Sequence, residues 1–212
     1  MMSTTIKFLV LCFAFLVNGC NDTNPASSNV KYQIGPYKFD IPLKYHFKDF
    51  IKSGRDWPSP PKKRKKLDVL EITALLPDLI PYSEENKGKF DQPGWGDKIR
   101  ISVNRSIYDG EKRFRRTASL MELINNQNDI IDENALYYSI SHTEIWLLTD
   151  DPFTEISCKK EESSPYPYCN ILTNYKTIEI EYSFSRDYLP DWKKINLSVK
   201  RLIESFENIK GE

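Results

Sequence analysis

The chain has 212 residues, 40% of them apolar and 13% aromatic, enough for one buried core at about 100–200 residues per domain. Lys plus Arg and Asp plus Glu both number 30, so no global field exists to hold nucleic acid, which argues against a dedicated DNA or RNA partner. With 28% charged residues and a mean hydropathy of −0.54 the chain is no multi-spanning membrane protein, and its aromatic content rules out wholesale disorder.

Lys7 is followed by an unbroken apolar run, Phe8 to Val17. It matches the core of an export signal and is too short to cross about 30 Å of hydrocarbon as a helix. The run ends in Val17-Asn18-Gly19-Cys20. A branched apolar residue, then a small residue, then cysteine resembles the lipobox of bacterial lipoproteins. That resemblance implies cleavage before Cys20, which would carry the lipid; ordinary secretion with cleavage near Gly19 is the alternative. Asn21 at the second mature position, where an aspartate commonly retains such proteins at the inner membrane, implies a periplasm-facing place on the outer membrane. The reading is therefore residues 1–19 as signal peptide, 20–31 as lipidated tether and 32–212 as one folded domain.

The stretch from Asn21 to about Lys31 is small, polar and aperiodic, as a tether is. Tyr37, Phe39 and Ile41 alternate with Lys38 and Asp40, which predicts a half-buried strand ended by Pro42. Leu43 to Lys66 reads as a loop holding Trp57 and the basic run Lys62 to Lys66. A second strand is predicted over Leu67 to Leu76, stopped by Pro77, and a third over Ile99, Ile101 and Val103 after the turn Pro93-Gly94-Trp95-Gly96. Ser119 to Glu122 has the form of a capping box opening a short helix. Strands are predicted at Leu136 to Ile140 and Glu144 to Leu148, and a hairpin at Thr154 to Cys158 with Tyr168 to Asn174. Ile178, Ile180, Tyr182 and Phe184 alternate with polar residues, the cleanest period-two pattern in the chain, and imply an antiparallel sheet with one wet face. Trp192, Ile195, Val199, Leu202, Ile203 and Phe206 fall at helical spacing after Pro190. Together these predict a single α+β domain, a mainly antiparallel sheet packed against a C-terminal amphipathic helix.

Cys12 leaves with the signal and Cys20 takes the lipid, so Cys158 and Cys169 remain in the body, in a compartment that oxidises thiols. They are expected to form a disulfide. No nucleophile elbow, metalloprotease helix or phosphate-binding glycine loop occurs. His46 and His142 read as structural or surface residues, Glu179 and Glu181 as a solvated strand face, and no catalytic set, metal or cofactor is expected. The basic run admits three readings: a solvated loop, a patch for an acidic protein partner, or contact with anionic lipid. Trp57 and Trp95, in loops rich in proline or glycine, are candidate partner contacts, with Arg113, Arg115 and Arg116 as a further basic group. Asn21, Asn104 and Asn196 each open an Asn-x-Ser/Thr triplet, which matters only in a eukaryotic secretory pathway.

A lipobox chain of this size, with Tyr37-Lys38-Phe39-Asp40-Ile41-Pro42 opening the body and the segment Leu70 to Pro81 (LEITALLPDLIP) following, resembles the periplasmic lipoprotein immunity proteins encoded beside type VI secretion toxins. The resemblance implies a non-enzymatic protein that binds and blocks a cognate toxin, often a phospholipase, from a lipid-anchored position. Two other classes stand beside it: an envelope structural or ligand-binding lipoprotein, and a hydrolase whose site the sequence does not reveal.

Overall fold

The computed structural model describes residues 28–46, 63–107, 129–132, 135–138, 144–149 and 154–208, with side chains described over 28–46, 63–105 and 154–208. Among the described residues eleven strands form two sheets. β1 (Asn29–Ile34) and β2 (Tyr37–Pro42) make a hairpin, and β3 (Lys65–Leu67) runs parallel to β1 on its other side. The larger sheet is antiparallel throughout. Its strands are β4 (Val69–Leu75), β5 (Lys98–Ile107), β6 (Asp129–Asp132), β7 (Ala135–Tyr138), β8 (Glu144–Thr149), β9 (Glu155–Lys159), β10 (Tyr168–Tyr175) and β11 (Ile178–Ser185). They lie in the order β4-β5-β11-β10-β9-β8-β7-β6. β1 takes in Asn29, Val30 and Lys31, the last residues of the stretch read as tether. The predicted strand over Leu67 to Leu76 is divided at Asp68 between the two sheets. The capping box at Ser119 lies outside the described residues.

The inner face follows from the side-chain period of two. Leu70, Ile72 and Ala74 on β4, Ile99, Ile101 and Val103 on β5, and Ile178, Ile180, Tyr182 and Phe184 on β11 are all at or below 3% exposure. The small sheet covers this face with Val30, Tyr32, Ile34, Phe39 and Ile41, in one continuous cluster. Helix α2 (Trp192–Phe206) completes the cover, burying Trp192, Ile195, Val199, Ile203 and Phe206 at steps of three and four. Fully burying each such side chain stabilises by about 1.5–3 kcal/mol, so the helix is held by packing more than by its own propensity. It is preceded by a 3-10 segment, Arg186–Asp191, in which Pro190 sits where the chain turns from β11 into the helix. Beyond its end, Glu207 bridges Phe39 and the Asn208 N–H donates to Lys38 O at 2.8 Å, which covers the outer edge of β2.

Among the described residues a polar network lies inside the core. The Tyr182 hydroxyl donates to Asn196 Oδ1 at 3.0 Å, Asn196 Nδ2 donates to Thr154 Oγ1 at 3.5 Å, and Thr154 and Thr173 share a hydroxyl bond of 3.2 Å. Burial raises the Tyr182 pKa well above its ordinary value, so the phenol stays a donor. A satisfied network of this kind fixes where the helix sits on the sheet.

A short helix, α1 (Lys87–Asp91), follows β4 and seals a second small cluster, Phe90 against Tyr82 and Leu75. Direct contacts then run from the first described residue to the loops of that end. Leu43 N–H donates to Ser28 O at 2.8 Å, Tyr82 N–H to Lys44 O at 3.2 Å, and Lys98 Nζ to Phe90 O at 3.3 Å. The chain therefore enters the fold beside the loops that close the lower end of the large sheet.

Candidate functional site

Three segments converge at that end: residues 92–97 before β5, residues 160–167 between β9 and β10, and the 3-10 segment after β11. Cys158 and Cys169 face each other across β9 and β10, with Cα atoms 4.0 Å apart, and their disulfide closes the base of the second loop. The expected pairing is thus present. By the chain-entropy account such a closure is worth about 3 kcal/mol.

Cross-loop contacts fix the rest. Tyr166 lies on Gly94 so closely that a Cβ there would be 2.3 Å from Tyr166 Cδ1, and Gly94 has φ +70°. Only glycine meets both conditions. Trp95 packs on Tyr168 with ring centroids 5.1 Å apart and planes at 35°, and the Arg100 guanidinium stands 5.6 Å from the Trp95 ring centroid. The Tyr188 hydroxyl donates to Asp97 Oδ1 at 2.7 Å while Lys89 Nζ reaches Asp97 Oδ2 at 2.8 Å. Those two bonds hold the Asp97 carboxyl below its ordinary 3.8. Burial, and then the bond to Asp97, pushes Tyr188 up to about 12. Arg186 ties the third segment to the second through its N–H to Pro167 O at 3.1 Å. The product is an aromatic surface with a cation on it. Trp95 and Tyr168 are half-buried and Tyr166 is 49% exposed.

Beside this surface, on the outer face of the sheet, lies a cleft of about 180 Å³ lined by Ser157, Lys159, Tyr168, Asn170, Glu181 and Ser183. Ser183 Oγ donates to Asn170 Oδ1 at 2.8 Å, and Asn170 Nδ2 donates to Glu181 Oε1 at 2.7 Å. The order hydroxyl, amide, carboxylate has the outline of a catalytic relay. Its middle member is an amide, which takes no proton at ordinary pH, so the chain orients side chains and does not activate the serine. Asn104 Nδ2 likewise donates to Glu179 Oε1 at 3.2 Å. Glu179 and Glu181 are therefore half-buried acceptors of asparagine amides and not the freely solvated pair their spacing suggests. Among the described residues no group of three His, Cys, Asp or Glu side chains gathers as metal ligands.

Of the residues singled out from sequence, Trp95, Cys158 and Cys169 meet at this end of the molecule. His46 is elsewhere, 3% exposed with its ring edge-on to Tyr32 at 5.4 Å. Cys20, Trp57, Arg113, Arg115, Arg116 and His142 lie outside the described residues. Tyr166, Tyr168 and Arg100 join Trp95 and the two cysteines without standing among the candidates that the sequence offers. A signal for the first two was available in Pro165-Tyr166-Pro167-Tyr168-Cys169, aromatic residues on stiff backbone directly beside a disulfide.

No protein-family model and no curated protein matches the chain. Among solved structures, the fold is similar to that of the iron-regulated outer membrane lipoprotein FrpD of Neisseria meningitidis. The TM-score is 0.58 and the identity 13%, over 86% of this chain and 93% of that one. Smlt3025, an immunity protein of the Stenotrophomonas maltophilia type IV secretion system, overlays at a TM-score of 0.49 and 13% identity, over 86% of this chain and 94% of its own. The likeness to FrpD is one of fold alone, an antiparallel α+β domain with a C-terminal helix; the overlay on Smlt3025 supports nothing further.

Proposed function

We propose that the protein is a lipid-anchored envelope inhibitor that binds a periplasm-acting toxin and neutralises it by occlusion, the toxin being a lipase delivered by type VI secretion. The observation that carries this reading is the pinned surface of Trp95, Arg100, Tyr166 and Tyr168, built from separate segments and locked by the disulfide. Tryptophan, tyrosine and arginine are what protein interfaces are anchored with, and on a rigid backbone no loop has to be ordered when they dock. Trp57, Arg113, Arg115 and Arg116 are proposed as further contacts. The export signal ending at Cys20 supports an anchored place in the envelope, and a tether raises the inhibitor's effective concentration at the membrane a lipase attacks.

The test is a titration of the cognate toxin with the purified protein. Occlusion predicts that toxin activity disappears at one equivalent. Trp95→Ala should cost about 2 kcal/mol of binding, roughly thirtyfold in affinity, while Glu179→Gln with Glu181→Gln leaves protection intact. Loss of toxin activity at a small fraction of an equivalent, with turnover, would replace occlusion by enzymatic detoxification. Cys20→Ser should release the protein from membranes or leave it unprocessed, and unchanged fractionation would remove the anchor.

A further inference from the structure

The basic run does not act as a unit. Arg64 is inward-facing, its side chain 14% exposed: Nη1 donates to Tyr32 O at 2.9 Å and Phe39 O at 3.0 Å, and Nη2 to Asp40 Oδ1 at 2.9 Å. It nails the start of β3 to the β1–β2 hairpin. The lysines beside it part company: Lys66 pairs with Gln33 and turns to the outer face of the small sheet, whereas Lys65 pairs with Tyr32 and turns to the other. On that outer face Lys66 joins Lys31 and Lys38, since Val30, Tyr32, Ile34, Phe39 and Ile41 take the inner one.

Helix α2 carries the same sign. Turned away from the core are Lys193, Lys194, Leu197, Lys200, Arg201 and Glu204, at steps of three and four, with Leu197 50% exposed amid the cations. The helix and the small sheet both cover the inner face of the large sheet. They adjoin where Glu207 bridges Phe39 and Asn208 Nδ2 donates to Asp40 Oδ2 at 2.7 Å. Their outward sides therefore face the same way and make one surface. Of the carboxylates there, Asp40 is held by Arg64 and Asn208, and Glu207 by Tyr175 and Lys176. Glu204 is left, among the described residues, to face an array of lysines and Arg201. The zero net charge of the chain conceals this unevenness.

We propose that this surface lies against anionic lipid headgroups, so that the body docks its helix and small sheet on the membrane and turns the outer face of the large sheet away from it. Charge selects the occupant, since a second copy presenting the same side would be repelled, whereas each lysine or arginine near an anionic surface adds about fivefold in affinity. Leu197 adds an apolar contact at the headgroup boundary. The place where the chain enters the fold agrees. Ser28, the first described residue, accepts from the Leu43 N–H at the start of β1, a strand of this layer. Two residues on, Tyr45 packs edge-on against Phe206, the last residue of α2, at 5.0 Å. From Cys20 to Ser28 the chain spans at most about 29 Å, at about 3.6 Å per residue, so an anchor at Cys20 keeps this layer within reach of the bilayer. The tether argument rests on the anchored reading; the charge argument stands without it.

The test mixes the full chain, purified in detergent, with phosphatidylcholine vesicles and with vesicles containing phosphatidylglycerol, and reads cosedimentation together with lysine acetylation by mass spectrometry. On the anionic vesicles acetylation of Lys31, Lys38, Lys194 and Lys200 should slow severalfold and recover as salt is raised, while Lys159, on the outer face of the large sheet, reacts as it does on phosphatidylcholine. Lys194→Glu with Arg201→Glu, both at exposed positions, should lose most of the slowing at Lys31, Lys38 and Lys200, and Lys194→Arg with Arg201→Lys should keep it. Cosedimentation with phosphatidylcholine alone reports the anchor and should be the same in both variants. A chain that stays off those vesicles yet is protected on the anionic ones loses its anchor and keeps this surface. Equal acetylation on the two vesicle types, protection that salt leaves intact, or full protection in the charge-reversed variant would each overturn the proposal. So would protection of the same lysines by soluble polyglutamate but not by anionic vesicles, which makes the surface a contact for an acidic protein, or protection that grows with protein concentration without anionic lipid, which makes it a contact between copies.

Discussion

The disulfide-pinned end and the β3 strand are held in opposite ways. At the first, a covalent bond, two rings packed at a tilt, a glycine under a tyrosine and a doubly bonded carboxylate tie loops distant in sequence into one body. At the second, a three-residue strand is kept in place by its pairing with β1 and by one guanidinium. A surface that must present preformed anchors needs the many ties, because each removes motion that binding would otherwise have to freeze. The order of β3 rests on far fewer ties, one of them a single half-buried side chain.

The contrast is broken most strongly at the disulfide. Cys158→Ala with Cys169→Ala should destabilise the fold by about 3 kcal/mol in denaturant titration, and should loosen the pinned end while leaving amide exchange across β3 unchanged. Equal loosening of both regions would mean that they are one unit. Arg64→Met is the converse experiment. It removes three charge-assisted bonds and leaves Asp40 with Asn208 as its partner among the described residues, for about 2 kcal/mol, and should speed exchange over 65–67 while Trp95 fluorescence stays as it was. Tyr188→Phe should cost about 1 kcal/mol, seen as a small fall in unfolding midpoint.

The smallest effect sharpens the first region by pH. Asp97 ionises below 3.8 in the fold because Lys89 and Tyr188 bond its carboxylate. A depressed carboxyl stabilises the fold above its unfolded value, and that contribution is lost as pH falls below 3.8. In Tyr188→Phe the carboxyl should titrate nearer 3.8, read from its carbon chemical shift. At the alkaline side the sign reverses: Tyr188, raised from 10.0 to about 12 chiefly by burial, stabilises the fold below 10.0 and ceases to as pH climbs towards 12.

The elements legible in the sequence are those whose environment is one-sided. β5, β11 and α2 each show a wet and a dry face, and alternation or helical spacing records that directly. β1 carries the same signal in Val30, Tyr32 and Ile34, which are 3%, 8% and 0% exposed, but its first three residues read as tether because Asn29 and Lys31 continue the polar composition before them. The segment Leu67 to Leu76 put apolar residues on both faces, and the reason is the bend at Asp68, where the strand changes sheets. α1 is five residues with one apolar side chain and left no period to read. At the candidate site, cysteine counting located the staple, and loop composition located Trp95. Arg100, Tyr166 and Tyr168 belong to a strand, a loop and another strand, and only tertiary packing makes them neighbours. Within the basic run, nothing in the letters separates Arg64, which is structural, from the lysines around it.

The buried amide at Asn196 has a consequence for how this chain can be made. Asn196-Leu197-Ser198 is an acceptor sequence for oligosaccharide, which a eukaryotic secretory pathway attaches before a domain has folded. In the folded protein Asn196 is 8% exposed, with Oδ1 taken by Tyr182 and Nδ2 directed at Thr154 under the helix. A sugar on that nitrogen has no space, so a chain glycosylated there cannot seat α2 on the sheet. Production in a yeast or mammalian secretory host would select against the native fold at the moment of synthesis, and Ser198→Ala, which removes the acceptor and leaves Asn196 in place, is the substitution that would restore it.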